Sequence, residues 1–231
     1  AMLAAAALRG HERVLDVGCG AGHTALAFAR AAREVHGLDL TEAMLVQADG
    51  LARACGIRNL RLRRGDVEAL PYPDRHFDVV TSRLCAHHFV HPIVALAEMA
   101  RVLRPGGLLL HSDSVSPEDS EQDHFLDTIE RLRDPSHVRN HTVEQWCAGM
   151  ASVGLEAVVL GSWQIEIDFD DWVARMRTPP EAVREIREVM DRACPTLREA
   201  FRIGATRPYS FDIPIALLRG RRAADARHPL P

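Results

Sequence analysis

The chain has 231 residues, of which 47% are hydrophobic, and it carries a formal net charge of −4. This length and composition fit one domain with a sizeable core, and the acidic balance argues against a dedicated nucleic-acid surface. Because all 28 basic residues are arginine, Schiff-base chemistry, pyridoxal chemistry and a P-loop lysine are excluded.

The cysteine pattern and the hydropathy indicate where such a protein works. The five cysteines are dispersed and form no C-x-x-C pair, which is typical of reduced thiols and favours a cytoplasmic protein. No apolar stretch approaches the roughly 18 residues that span a membrane. Residues 1–8 lack the basic segment of a signal peptide and predict a short helix.

Strands and helices alternate through the first half of the chain. Strands are predicted at 13–17, 34–39, 59–64, 77–82 and 107–113, and helices at 22–32, 41–55 and 92–103. This alternation predicts a parallel sheet with right-handed crossovers and helices on both faces. Thr41 is the expected N-cap of the second helix, and Pro105-Gly106-Gly107 is expected to end the third.

The second half is less regular. Its predicted elements are helices at 118–133 and 142–153, a strand at 155–167, a charged helical region at 169–207 and a strand at 211–219. Pro179-Pro180 and Pro195 are expected to break the helical region. The last dozen residues, rich in Ala, Arg and Pro, predict a loose tail.

The most informative segment is RVLDVGCGAG, residues 13–22. A buried strand that turns directly into a helix needs glycine where the backbone is unusual or a ligand comes close. The spacing is G-x-G-x-G, and His23 stands where the dinucleotide fingerprint has its third glycine. With Asp39 closing the second strand, this favours a nucleotide-like ligand without a pyrophosphate, namely S-adenosylmethionine. A tight turn without a ligand is the alternative.

Five segments, in order and spacing, resemble class I S-adenosylmethionine-dependent methyltransferases, within the methyltransferase type 11 branch that includes ubiquinone and menaquinone C-methyltransferases. The segments are residues 14–22, 35–39, 65–67, 77–80 and 101–107, and the resemblance covers about residues 8–113. It implies an α/β, Rossmann-like, seven-stranded, mostly parallel sheet in the order 3-2-1-4-5-7-6, with the last strand antiparallel. We expect a single domain over 1–231, with helical lid insertions at about 115–141 and 169–208.

The resemblance also implies which residues bind the cofactor. They are Asp16, Gly18, Cys19, Gly20, Gly22, Asp39, Leu40, Met44, Asp66, Val67 and Arg83. Asp16 and Arg83 are expected at the methionine end, and Asp39 at the two ribose hydroxyls. Asp66 and the Val67 N–H are expected at the adenine, between Leu40 and Met44. A helix cap for Asp66 and an ordinary core position for Met44 are the alternatives.

Histidines 87, 88 and 91 cluster after the fourth strand. A neutral imidazole there can take a proton from a substrate O–H, N–H or acidic C–H. His88 is favoured over His87 as this base, and the alternative is that these residues cap a helix or fill the pocket wall. Since no H-x-x-x-H pattern or cysteine pair accompanies them, no metal site is predicted.

The sequence therefore predicts methyl transfer to C, O or N of a quinone-like or secondary-metabolite ring, with S-adenosylhomocysteine as product. The alternative is a methyltransferase-fold protein that binds the cofactor without transferring methyl, such as a cyclase or a regulatory binder. Residues 81–84 read TSRL rather than N/D-P-P-Y/F, which disfavours methylation of DNA adenine or protein glutamine. Small molecules, not nucleic acid, are the expected partners. Aromatic residues that could wall an apolar substrate are Phe125, Trp163, Phe169, Trp172, Phe201 and Tyr209, and simple helix packing is the alternative for Phe169 and Trp172.

Overall fold

The computed structural model describes residues 1–204 and 209–224. In this part of the chain a seven-stranded sheet has the order β3-β2-β1-β4-β5-β7-β6. The strands are β1 (Arg13–Val17), β2 (Glu34–Asp39), β3 (Leu60–Arg64), β4 (Phe77–Arg83), β5 (Leu103–Ser114), β6 (Leu155–Asp168) and β7 (Ser210–Arg222). Strands β1 to β5 pair in parallel, and β7 runs antiparallel to both β5 and β6. The predicted strand order and the antiparallel last strand are confirmed.

Helices cover the sheet and extend beyond it. They are α1 (Met2–Ala6), α2 (His23–Ala29), α3 (Glu42–Ala54), α4 (Pro92–Val102), α5 (Ser120–Arg133), α6 (Val143–Ser152), α7 (Phe169–Met176), α8 (Pro180–Asp191) and α9 (Pro195–Ala200). Single 3₁₀ turns lie at Val67–Ala69 and Ala86–His88. No helix among the described residues is long and apolar enough to cross a membrane.

Several local predictions are confirmed and others are corrected. Pro180 and Pro195 break the helical region by starting α8 and α9, where the missing proline N–H has no partner to lose. Thr41 is the N-cap residue of α3, but its side chain makes no capping bond.

The ends of two strands also differ from the prediction. Helix α4 ends at Val102 and β5 begins at once, so the Pro105-Gly106-Gly107 turn is an irregularity inside β5, with Gly106 at φ +79°. Strand β7 continues to Arg222, so the first three residues of the expected tail, 220–222, belong to a strand, and residues 225–231 lie outside the described residues.

The buried apolar side chains form separate clusters on the two faces of the sheet. One cluster places α4 and α6 on one face, with Leu96, Met99 and Trp146 fully or almost fully buried. Another places α1 and α2 on the opposite face, around Phe28. The sheet is therefore covered on both sides, as a parallel sheet requires.

A further cluster joins α5, α7, α8 and α9 to the extended ends of β6 and β7. We call these four helices, together with the segments that follow α5 and α9, the helical unit (residues 120–141 and 169–204). The buried side chains of this cluster include the candidate wall residues Phe125, Phe169, Trp172, Phe201 and Tyr209. These five rings pack against one another and their neighbours, which is the helix-packing alternative, whereas Trp163 on β6 is 40% exposed. The lid role of 115–141 and 169–208 stays a prediction, and residues 205–208 lie outside the described part.

Candidate active site

The glycine turn between β1 and α2 has the conformation that its sequence predicts. Gly18, Gly20 and Gly22 have φ of +59°, +50° and +86°, a region that other residues adopt at a cost. A Cβ on Gly18 would lie 2.6 Å from Cys85 Sγ, and one on Gly22 would lie 2.9 Å from Ala48 Cβ. A Cβ on Gly20 would meet nothing within 4 Å, so the backbone at Gly20 faces open space that a ligand can enter.

The last residue of β2, Asp39, is bound to this turn. Its carboxylate accepts the Gly20 N–H at 2.8 Å and the Thr41 N–H at 2.9 Å, one on each oxygen. Cys19 is buried, and its N–H donates to the Leu38 carbonyl at 3.0 Å. The turn is therefore held against the carboxyl end of β2 through both main chain and side chain.

Apolar surface continues from Asp39 along the first turn of α3. Leu40 is 60% exposed and Met44 is 39% exposed. Met44 is thus not an ordinary core residue, which was the alternative to its binding role. Two exposed apolar side chains beside a carboxylate suit a ligand with a flat ring and hydroxyl groups.

Asp16 on β1 has one buried carboxylate oxygen that accepts no hydrogen bond from the described residues. Its Oδ1 accepts the Thr81 hydroxyl at 2.6 Å, while its Oδ2 has no hydrogen-bond partner among the described residues. Burial raises the pKa of Asp16 to about 7, although Thr81, the backbone N–H of Ala25 and the charge of Arg83 act in the opposite direction. A buried acceptor usually has a donor, so this oxygen is suited to a ligand N–H.

Asp66 and Val67 follow β3 at the same edge of the sheet. The Asp66 carboxylate accepts the Glu68 N–H at 2.9 Å and so caps the 3₁₀ turn, while Val67 is buried. The capping alternative is therefore present in the structure, and the adenine role of Asp66 stays a prediction. Arg64 Nε donates to the Leu40 carbonyl at 3.0 Å and ties the ends of β2 and β3 together.

The segment after β4 packs against the glycine turn. Arg83 is the last residue of β4, and Leu84 has φ +52°, an unusual value for a leucine. Cys85 follows, and its Sγ lies 3.3 Å from the Val17 carbonyl. This contact and the close approach of Cys85 to Gly18 place the turn carrying His87 and His88 beside the glycine turn.

A carboxylate that sequence reasoning missed, Asp113 on β5, organises this turn. It is 1% exposed and accepts the N–H groups of Cys85 at 2.9 Å and Ala86 at 2.7 Å. His87 Nδ1 lies 2.7 Å from its Oδ1. Burial alone would raise the pKa of Asp113, but His87 and these N–H donors hold it well below its ordinary value. The available signal was an acidic residue at the carboxyl end of a central strand, as with Asp39.

The two adjacent histidines differ in their surroundings. Burial tends to lower the pKa of His87, but Asp113 outweighs it and raises that pKa to about 8. His88 Nδ1 lies 3.0 Å from the Ser136 carbonyl, and burial and the neighbouring His87 lower its pKa. The structure therefore hydrogen-bonds His87 directly to a buried carboxylate, whereas the favoured His88 has only a longer approach to one, with its Nε2 3.9 Å from Asp134.

The third histidine of the cluster lies elsewhere. His91 Nδ1 lies 2.8 Å from Glu68 on the exposed side of the 3₁₀ turn. Within residues 1–204 and 209–224, no group of three or more His, Cys, Asp or Glu side chains has a metal-binding arrangement.

A buried polar network connects His87 to the helical unit. His137 stacks on His87 with ring centroids 5.6 Å apart, and its Nε2 lies 3.8 Å from Glu130 on α5. Glu130 accepts a bond from Asn140, whose Oδ1 accepts the Ser114 hydroxyl at 2.7 Å. Burial raises the pKa of Glu130 to about 7 and lowers that of His137 to about 4. The helical unit thus reaches the site through a network whose two titratable members are shifted towards their neutral forms.

Comparison with known proteins identifies the family of this chain. Residues 15–111 match the protein family described as Methyltransferase domain. The chain is 38% identical over 222 residues to the uncharacterized methyltransferase YcgJ of Bacillus subtilis (strain 168), covering 95% of this chain and 88% of that protein. This chain belongs to the methyltransferase family. The crystal structure of YcgJ matches this methyltransferase with a TM-score of 0.93, 37% identity and 96% coverage of both chains.

Two further matches place the chain among methyltransferases. The crystal structure of a putative methyltransferase from Bacillus halodurans C-125 matches with a TM-score of 0.92 and 33% identity, covering 96% of this chain and 97% of that one. A demethylmenaquinone methyltransferase of Geobacillus kaustophilus (strain HTA426) is 37% identical over 109 residues, 46% of this chain and 47% of that protein. The class I methyltransferase resemblance predicted from the sequence is confirmed.

Proposed function

We propose that this methyltransferase transfers the methyl group of S-adenosylmethionine to a carbon, oxygen or nitrogen of a small, quinone-like or secondary-metabolite ring. The observation that carries the proposal is the glycine turn, open at Gly20 and flanked by the carboxylates of Asp16 and Asp39. Ligands of open α/β sheets bind at the carboxyl ends of strands, where the strand order reverses. Here that point lies between β1 and β4.

The carboxylate of Asp39 suits the ribose of the cofactor. Each carboxylate oxygen can accept two hydrogen bonds, and the N–H groups of Gly20 and Thr41 use one on each oxygen. One acceptor position on each oxygen therefore remains for a ribose hydroxyl. Leu40 and Met44 supply exposed apolar surface for the adenine, and the Val67 N–H and Asp66 would bind its polar edge.

The methionine part would bind at the opposite side of the turn. The unpartnered Asp16 Oδ2 fits the amino group of the ligand, directly or through water, because an ammonium group donates what this buried oxygen lacks. Arg83, whose charge already acts on Asp16, would meet the methionine carboxylate. S-adenosylmethionine supplies an activated methyl group at this end when bound.

The remaining work of the protein is alignment and exclusion of water. Holding two reactants at attack distance can lower the barrier by up to ~7–11 kcal/mol. The helical unit packs over the same edge of the sheet through His137 and Glu130, so it is the candidate lid. The aromatic rings of the helical unit are buried in its own core and are not available to line a pocket. Leu84, His87 and His88 are therefore better placed to face the methyl acceptor.

Two observations support a small-molecule acceptor. The name of the G. kaustophilus relative refers to a quinone ring, and the match to it covers 109 residues of this chain. The net charge of −4 and the TSRL sequence at the end of β4 are unlike nucleic-acid or protein-amide methyltransferases.

The cofactor assignment is tested by Asp39→Ala in a calorimetric titration with S-adenosylmethionine. Hydrogen bonds to a charged group contribute about 1.5–3 kcal/mol each, so we expect about 100-fold weaker binding. Asp49→Ala is the matched control, since Asp49 pairs with Arg53 on the exposed face of α3. Unchanged affinity in Asp39→Ala would show that the cofactor binds elsewhere.

Transfer itself is tested with methyl-labelled S-adenosylmethionine and a panel of quinols and phenols. The expected result is label in at least one acceptor and release of S-adenosylhomocysteine. Tight binding with no label in any acceptor would instead favour the alternative of a cyclase or regulatory binder.

A further inference from the structure

We infer that Asp113 is a positioning residue that holds His87 Nε2 as the proton acceptor for a weakly acidic hydroxyl, so that the methyl acceptor is a phenol or enol methylated at oxygen. This rests on the proposed methyl transfer and narrows its acceptor. Sequence reasoning favoured His88 and did not include Asp113.

The carboxylate of Asp113 is fixed before any ligand binds. The N–H groups of Cys85, Ala86 and Ser114 all donate to it, at 2.9, 2.7 and 2.8 Å. Its remaining strong partner is His87 Nδ1 at 2.7 Å. A carboxylate with this many donors stays ionised, and it fixes the tautomer of the imidazole by accepting the Nδ1–H. The neutral ring then carries its lone pair on Nε2.

The ring of His87 is also held in place by its neighbours. It lies 4.2 Å from the His88 ring and 5.6 Å from the His137 ring, measured between centroids. Its backbone carbonyl accepts the Val138 N–H at 2.9 Å and the Arg139 N–H at 3.1 Å. The side chain is nevertheless 16% exposed, so a substrate can reach it. A base must be held this firmly to take a proton in the correct geometry.

The position of His87 relative to the glycine turn connects it with methyl transfer. His87 is two residues from Cys85, which lies against Gly18, and four residues from Arg83, whose charge acts on Asp16. Asp16 and Arg83 are the residues proposed for the methionine end. The proton acceptor therefore lies on the same side of the cofactor turn as the group to be transferred.

The charges around His87 determine which protons it can take. Asp113 on β5, Glu130 on α5 and Asp134 after α5 favour the protonated ring, while His88 and His137 oppose it. The result is a pKa of about 8 for His87, higher than that of an ordinary histidine, so the neutral ring that can accept a proton predominates only above that pH. A stronger base is suited to hydroxyls that are mostly protonated at neutral pH, such as phenols, whose pKa is about 10.

The step balances without any further reactant. The hydroxyl proton passes to His87 Nε2, and the oxygen electron pair forms the new bond to the methyl carbon. The carbon–sulfur bond breaks with its electron pair remaining on sulfur, so the positive charge of the sulfonium is replaced by that of His87. Solvent then removes the proton from the imidazolium. We assign the attack to oxygen because a neutral amine already has a free electron pair and needs no base before it attacks, while a C–H group is a poor hydrogen-bond donor to Nε2.

The kinetic test compares acceptors of different acidity with His87→Gln. At a pH just above the pKa of His87, an alkylphenol is still mostly protonated and needs a base, whereas a nitrophenol is largely ionised. We expect kcat to fall by about 10²–10⁴-fold with the alkylphenol and by about 10-fold or less with the nitrophenol. Equal losses with both acceptors would mean that His87 only shapes the pocket, and would overturn the proposal.

Two further histidine variants complete this comparison. His124→Gln, on the exposed face of α5, is the matched control and is expected to preserve both rates. If His88→Gln instead shows the acidity-dependent loss, then His88 is the base and the role of Asp113 fails.

A second measurement does not depend on turnover. The pKa of His87, followed by NMR of the imidazole, is expected near 8 in the wild type and lower by about one pH unit or more in Asp113→Asn, because that variant lacks the negative charge. Should Asp113→Asn fail to fold, the wild-type value decides, since a pKa of 6.5 or less overturns the proposal. If S-adenosylmethionine binds but no phenol or enol is methylated at oxygen, the acceptor class is wrong while the cofactor site stands.

Discussion

The cofactor half of this methyltransferase, residues 1–114, and its helical unit are organised by different interactions. In the cofactor half, the functional groups sit at strand ends and are fixed by main-chain bonds, as Asp39 is by Gly20 and Asp113 by Cys85. In the helical unit, the order comes from side chains far apart in sequence, such as Phe125 and Phe201, packing together. The chemistry of the cofactor half therefore depends on backbone geometry, whereas the stability of the helical unit depends on apolar burial.

The largest expected effect is a loss of stability with little change in cofactor binding. Phe169 is fully buried between Trp172, Tyr209 and Arg187, so Phe169→Ala should reduce the free energy of unfolding by about 3–5 kcal/mol. Chemical denaturation measures this loss. Trp163→Ala is the control, because Trp163 is 40% exposed and should matter much less. A weaker affinity for S-adenosylmethionine in folded Phe169→Ala would show that the two regions are not separable in this way.

A smaller expected loss of stability in the cofactor half distinguishes glycines that need only a positive φ from glycines that also have no room for a Cβ. Gly22→Ala combines a φ of +86° with a Cβ 2.9 Å from Ala48, whereas Gly56→Ala has φ +67° and open space. A non-glycine residue in such a conformation costs about 1–3 kcal/mol, so Gly56→Ala should lie near the lower limit and Gly22→Ala at or above the upper. Thermal melting of both variants measures the difference. Equal losses would mean that α3 moves aside at Ala48.

The smallest effect concerns pH at the junction of the two regions. The folded-state pKa of Glu130 is raised to about 7, so its contribution to stability is complete below about pH 4.5 and is lost as the pH rises towards 7. Asp16 acts in the same direction. Since one pKa unit corresponds to 1.36 kcal/mol, Glu130→Gln should remove about 1–3 kcal/mol of the decrease in unfolding free energy between pH 5 and pH 8. Denaturation curves at the two pH values measure this, and parallel pH dependence in both proteins would mean that Glu130 is already ionised.

The sequence was sufficient to predict those parts of the site whose backbone conformation is determined by neighbouring residues. The glycines at 18, 20 and 22 have positive φ because the strand must turn at once into α2, and this is visible in the spacing alone. The position of the Asp39 carboxylate beside the glycine turn could be predicted because Asp39 is the last residue of a strand. The sheet order came from the resemblance to a family, since alternating elements by themselves allow several parallel arrangements.

The sequence could not predict contacts between residues that are far apart in the chain, or side-chain directions that depend on a single turn. Asp113 is 26 residues from His87 in sequence, and nothing local shows that β5 ends beside the 3₁₀ turn. That turn also decides between the neighbouring histidines, since it directs His87 to Asp113 and His88 to Ser136. The aromatic residues of α7 have the same helical spacing whether they line a pocket or fill a core.

Strand β7 belongs to both regions at once. Phe211, Ile213 and Ile215 lie in the cluster of the helical unit, while Ala216 and Leu218 lie in the cluster of the sheet. A single continuous strand cannot leave one cluster without pulling on the other, so the two should unfold as one cooperative unit. For the same reason, any opening of the helical unit must bend the paired strands β6 and β7, whose other ends are held in the sheet where β7 pairs with β5.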